Sequence, residues 1–384
     1  MADSVTTPPT GRREEIEVSP AMIEAGLDEL YEGLPRRDCG WHDRQAAVLR
    51  ETHGMNATLP TSPLYGKFEP VLDAVLRRTA TPPAKKLKTY IDLFCGIGGF
   101  HIAATNLGLE CVFACDIDEE ARKAYQENFG LQPFGDINSI VAKNVPDHDI
   151  LCAGFPCQPF SIIGSRQGFS DPQGGLFFEI VRIIRAKRPP AIVLENVRQL
   201  ATINNGKVLA SIKDALERLG YFVDCKVLNA LDFGVPQKRD RILIVGTRKD
   251  IGAFPWPDKK VPMTPLADIL EKNPDAKHFV SGKILRARRE AHTSKHAVAI
   301  WHENKGGNVS SHPFSCALRA GASYNYLLVN GERRLTPREM LRLQGFPDSF
   351  KIVCNDGQTR KQAGNSVPVP MIQAVLERLL SVRG

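Results

Sequence analysis

Short apolar runs alternate with helical segments from Thr89 to about residue 250, and this alternation constrains the fold more than any other feature. Parallel strands require long crossover connections, which are usually helices, so the pattern predicts an α/β protein with a doubly wound parallel sheet. The predicted strands are Tyr90–Phe94, Cys111–Cys115, Ile150–Ala153, Ala191–Leu194, Phe222–Leu228 and Arg241–Val245. The predicted helices are Gly99–Leu107, Glu119–Phe129, Leu176–Ala186 and Gly206–Leu219.

The alternation stops near residue 255 and resumes late in the chain, which predicts a smaller domain inserted into the larger one. Residues 1–87 form an N-terminal extension with a disordered start, short helical patterns at Met22–Leu30 and Asp43–Leu49, and a linker. Residues 88–259 form the first regular part, and residues 260–332 form a basic, irregular insert. Residues 333–384 complete the regular part and end in an apolar helix at Val369–Leu380.

Charge and cysteine content restrict the class of protein only modestly. The formal net charge of +7 is compatible with a polyanionic partner. The nine cysteines form no CxxC pair or zinc-like cluster with histidine, so a reduced compartment and no metal site are expected. The chain lacks an apolar run long enough to span a membrane and shows no signal peptide, which predicts a cytoplasmic protein.

A glycine-rich loop follows the first predicted strand and opens a helix. The loop reads Asp92-Leu93-Phe94-Cys95-Gly96-Ile97-Gly98-Gly99-Phe100, and Asp116 ends the second strand 20 residues after Gly96. Glycines allow a tight turn and close approach of a ligand, and a carboxylate at this spacing suits ribose hydroxyls. The layout predicts an adenosine-cofactor site, although a turn chosen only for packing explains the glycines alone.

Cys157 lies in a rigid frame after the third predicted strand. The segment is Gly154-Phe155-Pro156-Cys157-Gln158-Pro159-Phe160-Ser161. The two prolines stiffen the turn, and ligands bind at this edge of open α/β sheets. Most cysteines are buried apolar residues, but the frame favours a nucleophile at Cys157.

Glu195 and a pair of arginines supply charged groups near the same edge. Glu195 follows the strand at Ala191–Leu194, so it is an acid–base candidate beside Cys157. Arg239 and Arg241 alternate in Gln237-Lys238-Arg239-Asp240-Arg241 and should point the same way, toward a phosphate or carboxylate. Either feature alone is also explained by a solvated surface residue.

Taken together, these motifs resemble the ordered motif set of the bacterial DNA cytosine-5 methyltransferases of restriction–modification type. The resemblance runs from about Thr89 to the C-terminus, and its most specific element is Pro-Cys-Gln. It implies a Rossmann-like methyltransferase domain that uses S-adenosyl-L-methionine, with residues 260–332 as the target-recognition domain. The motifs are Asp92–Phe100, Gly154–Ser161, Glu195–Val197, Gln237–Arg241, Arg334–Pro347 and Gln362–Pro368.

The resemblance also assigns catalytic roles. Cys157 would add to carbon 6 of a cytosine flipped out of the duplex, and Glu195 would hold or protonate ring N3. Arg241 would contact the flipped cytidine, and Arg239 would steady Glu195. The base that removes the hydrogen from carbon 5 is not identified by the sequence.

The implied cofactor pocket draws on distant parts of the chain. The Phe94–Gly98 loop would surround the methionine end, Asp116 would bind the ribose, and Asn365 and Ser366 would complete the pocket from the C-terminal segment. The predicted cofactor-binding residues are Phe94, Gly96, Gly98, Asp116, Ile117, Asp136, Ile137, Leu176, Asn365 and Ser366.

The implied partner is double-stranded DNA, with a cognate restriction endonuclease as a functional partner. The predicted DNA contacts are Ser161, Gln237, Arg286, Arg289 and Arg319. The segment Ser161–Gly174 would be a mobile loop that closes over DNA. Many relatives have a Thr-Leu pair where this chain has Ala317-Leu318, which puts that support of the flipped base in doubt. A nucleoid-associated monomer is expected.

Two alternatives remain open at this point. One branch of the same family modifies tRNA with the same motifs, but the long insert favours DNA. A non-catalytic DNA-binding protein with the retained fold is disfavoured by the intact Cys157, Glu195 and Arg241. The recognition sequence and the role of residues 1–87 are not determined by the sequence.

Overall fold

The computed structural model describes residues 87–156 and 175–382, which belong to a unit that begins at Ala84. The strands are β1 Thr89–Leu93, β2 Glu110–Cys115, β3 Ile150–Gly154, β4 Ala191–Val197, β5 Phe222–Asn229, β6 Gln237–Lys238, β7 Asp240–Thr247, β8 Ile300–Glu303, β9 Val309–His312, β10 Ser315–Cys316, β11 Leu327–Val329 and β12 Arg333–Arg334. The helices are α1 Gly99–Thr105, α2 Glu119–Phe129, α3 Leu176–Lys187, α4 Lys207–Glu217, α5 Leu266–Ile269, α6 Gly282–Ala291, α7 Pro337–Leu343, α8 Asp356–Asn365 and α9 Val369–Ser381. The predicted helices Met22–Leu30 and Asp43–Leu49 and the loop Ser161–Gly174 lie outside the described residues.

A six-stranded sheet forms the centre of the larger part, in the order β2-β1-β3-β4-β7-β5. Each of its strands overlaps a strand predicted from the sequence. The order reverses between β1 and β3, because the chain passes from β1 outward to β2 and returns on the other side to β3. This reversal creates a crevice at the carboxyl ends of β1 and β3, where ligands bind in open α/β sheets.

The sheet is not entirely parallel, which corrects one expectation. Strand β7 lies antiparallel to both β4 and β5. The connection from β5 to β7 covers only residues 230–239 and contains no crossover helix. A parallel pairing needs a crossover of about a dozen residues or more, so this shorter connection returns the chain in the opposite direction.

Apolar side chains cover both faces of the central sheet, which confirms the doubly wound α/β fold. Tyr90 of β1 faces a core that includes residues of α1, α2 and α9, whereas its neighbour Ile91 faces a second core formed with α3 and α4. Side chains on a strand alternate between faces, so an almost continuous apolar strand is the sequence signature of this double burial.

The C-terminal helix α9 packs on α1, next to the first strand. Phe100 and Ala104 of α1 share a buried cluster with Val375 and Leu376 of α9. Asn106 Nδ2 also donates to Gln373 Oε1 at 3.0 Å. The last part of the chain is therefore held beside the glycine-rich loop.

The region between these two parts has a sheet of its own. Strands β12-β11-β8-β9 form an antiparallel sheet, and the short β10 pairs with β6 at the base of β7. The chain thus carries a smaller β-rich part inserted before α7. Within residues 87–156 and 175–382, no helix is long and apolar enough to cross a membrane.

Candidate active site

The glycine-rich loop adopts left-handed backbone conformations directly after β1. Phe94 has φ 56°, Gly96 has φ 54° and Gly98 has φ 86°. A Cβ at Gly98 would lie 2.2 Å from the Phe129 ring, whereas a Cβ at Gly96 would meet no atom within 4 Å. Gly98 is therefore required for packing, and the open side of Gly96 lets a ligand approach the backbone.

Asp116 lies at the end of β2 and is held by the same loop. Its Oδ2 accepts from the Gly96 amide and its Oδ1 from the Asp118 amide, both at 2.8 Å. Burial raises the pKa of Asp116 more than these hydrogen bonds lower it. The carboxyl group is thus fixed over the crevice, in the place predicted for a ribose contact.

An exposed apolar surface continues from Asp116. Ile117 is 75% exposed, and Phe134 is 57% exposed and stacks on Phe113 with ring centroids 4.9 Å apart. Such exposure of large apolar side chains suits the flat face of a purine ring. The position of Ile117 beside an adenine stays a prediction.

The predicted residues Asp136 and Ile137 have different roles. Asp136 Oδ1 accepts from the backbone and side chain of Asn138, at 2.9 and 2.7 Å. The Ile137 side chain is only 3% exposed and packs in the core with α3. A cofactor contact by Ile137 therefore stays a prediction.

The remaining cofactor residues come from α3 and from the end of α8. Leu176 is half-buried at the first position of α3, and Asn365 is exposed. Ser366 is 8% exposed, and its Oγ has no hydrogen-bond partner within the described part of the chain. A buried hydroxyl without a partner is costly, so Ser366 Oγ fits a polar group of a bound cofactor.

Asp92 of β1 is a functional candidate to which the sequence reasoning assigned no role. It is fully buried, and neither carboxyl oxygen has a hydrogen-bond partner among residues 87–156 and 175–382. Burial, followed by repulsion from Asp116, raises the pKa of Asp92 well above its ordinary value. The sequence feature that could have indicated a role for Asp92 is a carboxylate within an otherwise apolar strand. A buried carboxylate of this kind is costly and is rarely retained without a function.

Glu195 and Arg241 form a buried ion pair at the carboxyl end of β4. Arg241 Nε lies 2.7 Å from Glu195 Oε1, with side-chain exposures of 13% and 10%. Burial raises the pKa of Glu195, and the charges of Arg241 and Arg239 oppose that rise. A Cβ at Gly154 would lie 3.6 Å from Glu195 Oε2, so the carboxyl group reaches the end of β3.

The turn that leads to Cys157 is anchored to the same place. Asn196 Nδ2 donates to the Phe155 carbonyl at 2.9 Å, in a buried contact between the ends of β4 and β3. Cys157 itself lies outside the described residues, as does Ser161. The described part of the turn ends at Pro156, the residue before the predicted nucleophile.

Arg239 is buried among backbone carbonyls near Glu195. It is 1% exposed, and its guanidinium donates to the carbonyls of Leu318, Gly364 and Ser366 at 2.8, 2.9 and 2.6 Å. Burial lowers the pKa of Arg239 to about 9. Its charge acts on Glu195, and its hydrogen bonds join the segment between β10 and β11 to the C-terminal segment.

The structure shows that two of the residues predicted to contact DNA, Gln237 and Arg289, have partners within the protein. Gln237 is fully buried; it accepts from the Leu318 amide at 2.9 Å and donates to the Leu343 carbonyl at 2.8 Å. This burial contradicts a DNA contact by Gln237. Arg289 is exposed but paired with Glu332 at 2.7 Å, whereas Arg286 and Arg319 are exposed without such a pair in the described region.

The sequence profile of the C-5 cytosine-specific DNA methylases matches residues 88–381. This chain belongs to the C-5 cytosine-specific DNA methylases. It is 52% identical over 287 residues to the type II methyltransferase M.NgoBI of Neisseria gonorrhoeae, which covers 74% of this chain and 90% of that protein. It is 51% identical over 301 residues to M.HaeII of Haemophilus aegyptius, covering 77% and 94%.

Solved methyltransferase structures share the fold of this C-5 cytosine methylase. The S. pombe Dnmt2 methyltransferase has a TM-score of 0.59 and 23% identity, covering 76% of this chain and 98% of that one. A DNA modification methyltransferase encoded within an E. coli prophage has a TM-score of 0.58 and 22% identity, covering 77% and 99%. These likenesses show a Rossmann-like methyltransferase fold. The family profile and the type II relatives show that the chain is an enzyme that methylates carbon 5 of cytosine in DNA.

Proposed function

We propose that this enzyme methylates a cytosine within a specific duplex sequence through a covalent adduct with Cys157, using S-adenosyl-L-methionine. The observation that carries the proposal is the Glu195–Arg241 pair beside Gly154, where the chain turns toward Pro156 and Cys157. A carboxyl group and a thiol at one sheet edge are suited to attack on a ring carbon and to control of the charge that results.

The crevice at the ends of β1 and β2 supports S-adenosyl-L-methionine as the methyl donor. Asp92 and Ser366 present buried polar atoms that have no hydrogen-bond partner among residues 87–156 and 175–382, while Asp116 and Ile117 offer a carboxylate beside an exposed apolar surface. These features fit, respectively, a charged amino-acid end, a ribose and a purine. When bound, this cofactor supplies an electrophilic methyl group.

The protein groups have separate tasks in the proposed reaction. The thiolate of Cys157 adds to carbon 6 of the flipped cytosine, and the negative charge moves into the ring. Glu195, whose pKa is raised by burial, donates a hydrogen bond or proton to N3. Arg241 holds the Glu195 carboxyl group by its Nε. Carbon 5, made electron-rich by this addition, would take the methyl group; transfer of its proton to a base then restores the ring double bond as the Cys157 thiolate leaves carbon 6.

The biological setting is proposed from the relatives. Both relatives are named as type II methyltransferases. By this likeness, the enzyme would protect DNA at the recognition site of a cognate restriction endonuclease. The smaller sheet and α6, with the exposed Arg286 and Arg319, would form the DNA-reading surface.

A trapping experiment tests nucleophile, cofactor and substrate together. A mixed-sequence duplex pool that contains 5-fluorocytosine should become covalently attached to the protein only with S-adenosyl-L-methionine, because fluorine cannot leave carbon 5 as a proton does. The adduct should be absent in Cys157→Ala. Trapping on fluorocytosine tRNA alone would favour RNA as the substrate, and an adduct that survives Cys157→Ala would refute the assigned nucleophile.

A further inference from the structure

Two histidines lie on one side of the smaller sheet. In the β8–β9 pairing, Ile300 is opposite His312 and His302 is opposite Ser310. Alternate residues of a strand share a face, so His302 and His312 are diagonal neighbours on the same side. Both imidazoles are partly exposed.

Two exposed cations border this pair. Lys238 is exposed between the buried Gln237 and Arg239, and its charge reaches His312. Arg319 is exposed, with its guanidinium 4.8 Å from the centroid of the Tyr326 ring, and its charge reaches His302. We call Lys238, His302, His312 and Arg319 the cationic face.

Aromatic rings separate the members of the cationic face. His312 stacks on Phe314 with centroids 5.1 Å apart and an interplanar angle of 12°. His302 meets the edge of Tyr326 at 6.3 Å. Cations interleaved with aromatic rings are typical of surfaces that bind nucleic acid.

Acidic groups do little to neutralise this face. Glu303 on β8 is paired with the buried Arg288, which also donates to the Asn325 carbonyl at 3.0 Å. The other charges that reach the pair are those of His292 and His296 on His312, and of Arg288 on His302. The nearby positive charges oppose protonation of the two histidines in the unbound protein, and a polyanion would relieve that cost.

The cationic face is coupled mechanically to the active site. Leu318, next to Arg319, gives its carbonyl to Arg239 at 2.8 Å and its amide to Gln237 at 2.9 Å. The same Arg239 holds the Ser366 carbonyl in the predicted cofactor pocket. DNA seated on the cationic face would therefore be held in register with Glu195.

We propose that His302 and His312 contact the phosphate backbone of duplex DNA and take up protons when the duplex binds. This inference rests on the proposed function, and it adds a contact chemistry that depends on pH.

The sign of the pH dependence follows from the surroundings of the two rings. Burial, followed by repulsion from Arg319 for His302 and from Lys238 for His312, lowers the pKa of each histidine in the free protein. A DNA phosphate stabilises the protonated ring, so the pKa of each is higher in the complex. Affinity is therefore strongest at low pH and falls as pH rises through the pKa of the complex. Above that pH both states are neutral and affinity no longer changes.

The experiment measures binding of the full chain to a fluorescent mixed-sequence duplex between pH 6 and 8 at constant ionic strength. We expect the Kd of the wild-type protein to rise about tenfold across this range, because one protonation can contribute up to tenfold per pH unit. The double variant His302→Gln/His312→Gln should change by less than about twofold over the same range. The wild-type slope in the double variant would overturn the proposal.

A charge variant on a different element serves as the control. Arg286→Gln, on α6, should weaken binding by the same factor at every pH and keep the wild-type slope. If the double variant fails to fold, Lys238→Gln provides the test: loss of its repulsion raises the pKa of His312, so the midpoint should move to higher pH, and an unmoved midpoint would refute the inference. Absence of duplex binding by the folded wild type at every pH would instead contradict the proposed function.

Discussion

Arg239 and Arg241, near Glu195, differ from Arg319, between β10 and β11, in what their guanidinium groups contact. Arg239 is buried and donates to three backbone carbonyls, and Arg241 is paired with Glu195. Arg319 is exposed and lies over the Tyr326 ring, which leaves its hydrogen-bond donors available to a ligand. Burial, rather than residue type, therefore separates arginines that hold the protein together from an arginine whose donors are free to bind a ligand.

The largest expected effect is on catalysis, and it tests the buried ion pair of Glu195 and Arg241. Glu195→Gln keeps the shape of the side chain but removes the proton donor and the charge paired with Arg241. We expect kcat to fall by about 10²–10⁴-fold, as for other lost acid–base groups. Single-turnover methylation measures this change, and DNA affinity measured in parallel should stay within a few fold. A variant with normal kcat would refute the acid–base assignment.

The second prediction concerns stability. Arg239→Met removes the donor to the carbonyls of Leu318, Gly364 and Ser366, of which Ser366 keeps only a long hydrogen bond from Gln344 Nε2 at 3.4 Å, so the free energy of unfolding should fall by about 3–5 kcal/mol. Denaturant unfolding measures the loss. The neighbouring exposed Lys238 is the matched control, and Lys238→Met should change the unfolding free energy by less than about 0.5 kcal/mol. Equal losses of unfolding free energy in the two variants would show that the buried Arg239 stabilises the protein no more than the exposed Lys238 does.

The smallest effect is expected on the exposed side. Arg319→Gln should weaken DNA binding by about 1 kcal/mol and reduce the salt slope by about one, if the residue contacts a phosphate. Binding titrations across salt concentrations measure both quantities. Thermal stability should remain at the wild-type level, since the guanidinium is exposed. A loss of thermal stability without a change in the salt dependence of DNA binding would instead show that Arg319 stabilises the fold and does not contact DNA.

The sequence predicted the central sheet well, because its strands are buried on both faces and therefore read as continuous apolar runs. Ile91 and Leu93 face one core while Tyr90 faces the other. The sequence did not predict that β7 is antiparallel to its neighbours, because the apolar pattern of a strand is the same in either direction. Only the short connection at residues 230–239 contains that information.

The sequence predicted the site where a short motif determines the backbone conformation. It predicted less where the burial of a side chain determines which residues that side chain contacts. The loop geometry at Gly96 and the proximity of Asp116 agree with the sequence spacing. By contrast, Gln237 and Arg239 have polar side chains, and the segment Gln-Lys-Arg-Asp-Arg gives no local sign that these two side chains are buried. Their burial depends on β6 pairing with the distant β10, a long-range contact that local patterns do not encode.

The packing of α9 on α1 has a consequence for the synthesis of the enzyme. The glycine-rich loop and Glu195 leave the ribosome long before Gly364, Ser366 and the residues of α9. Until that segment emerges, Arg239 lacks two of its three carbonyl acceptors and α1 lacks its covering helix. A chain that ends before Gly364 therefore cannot assemble the complete site, and an enzyme still on the ribosome needs α9 to emerge before the site is complete.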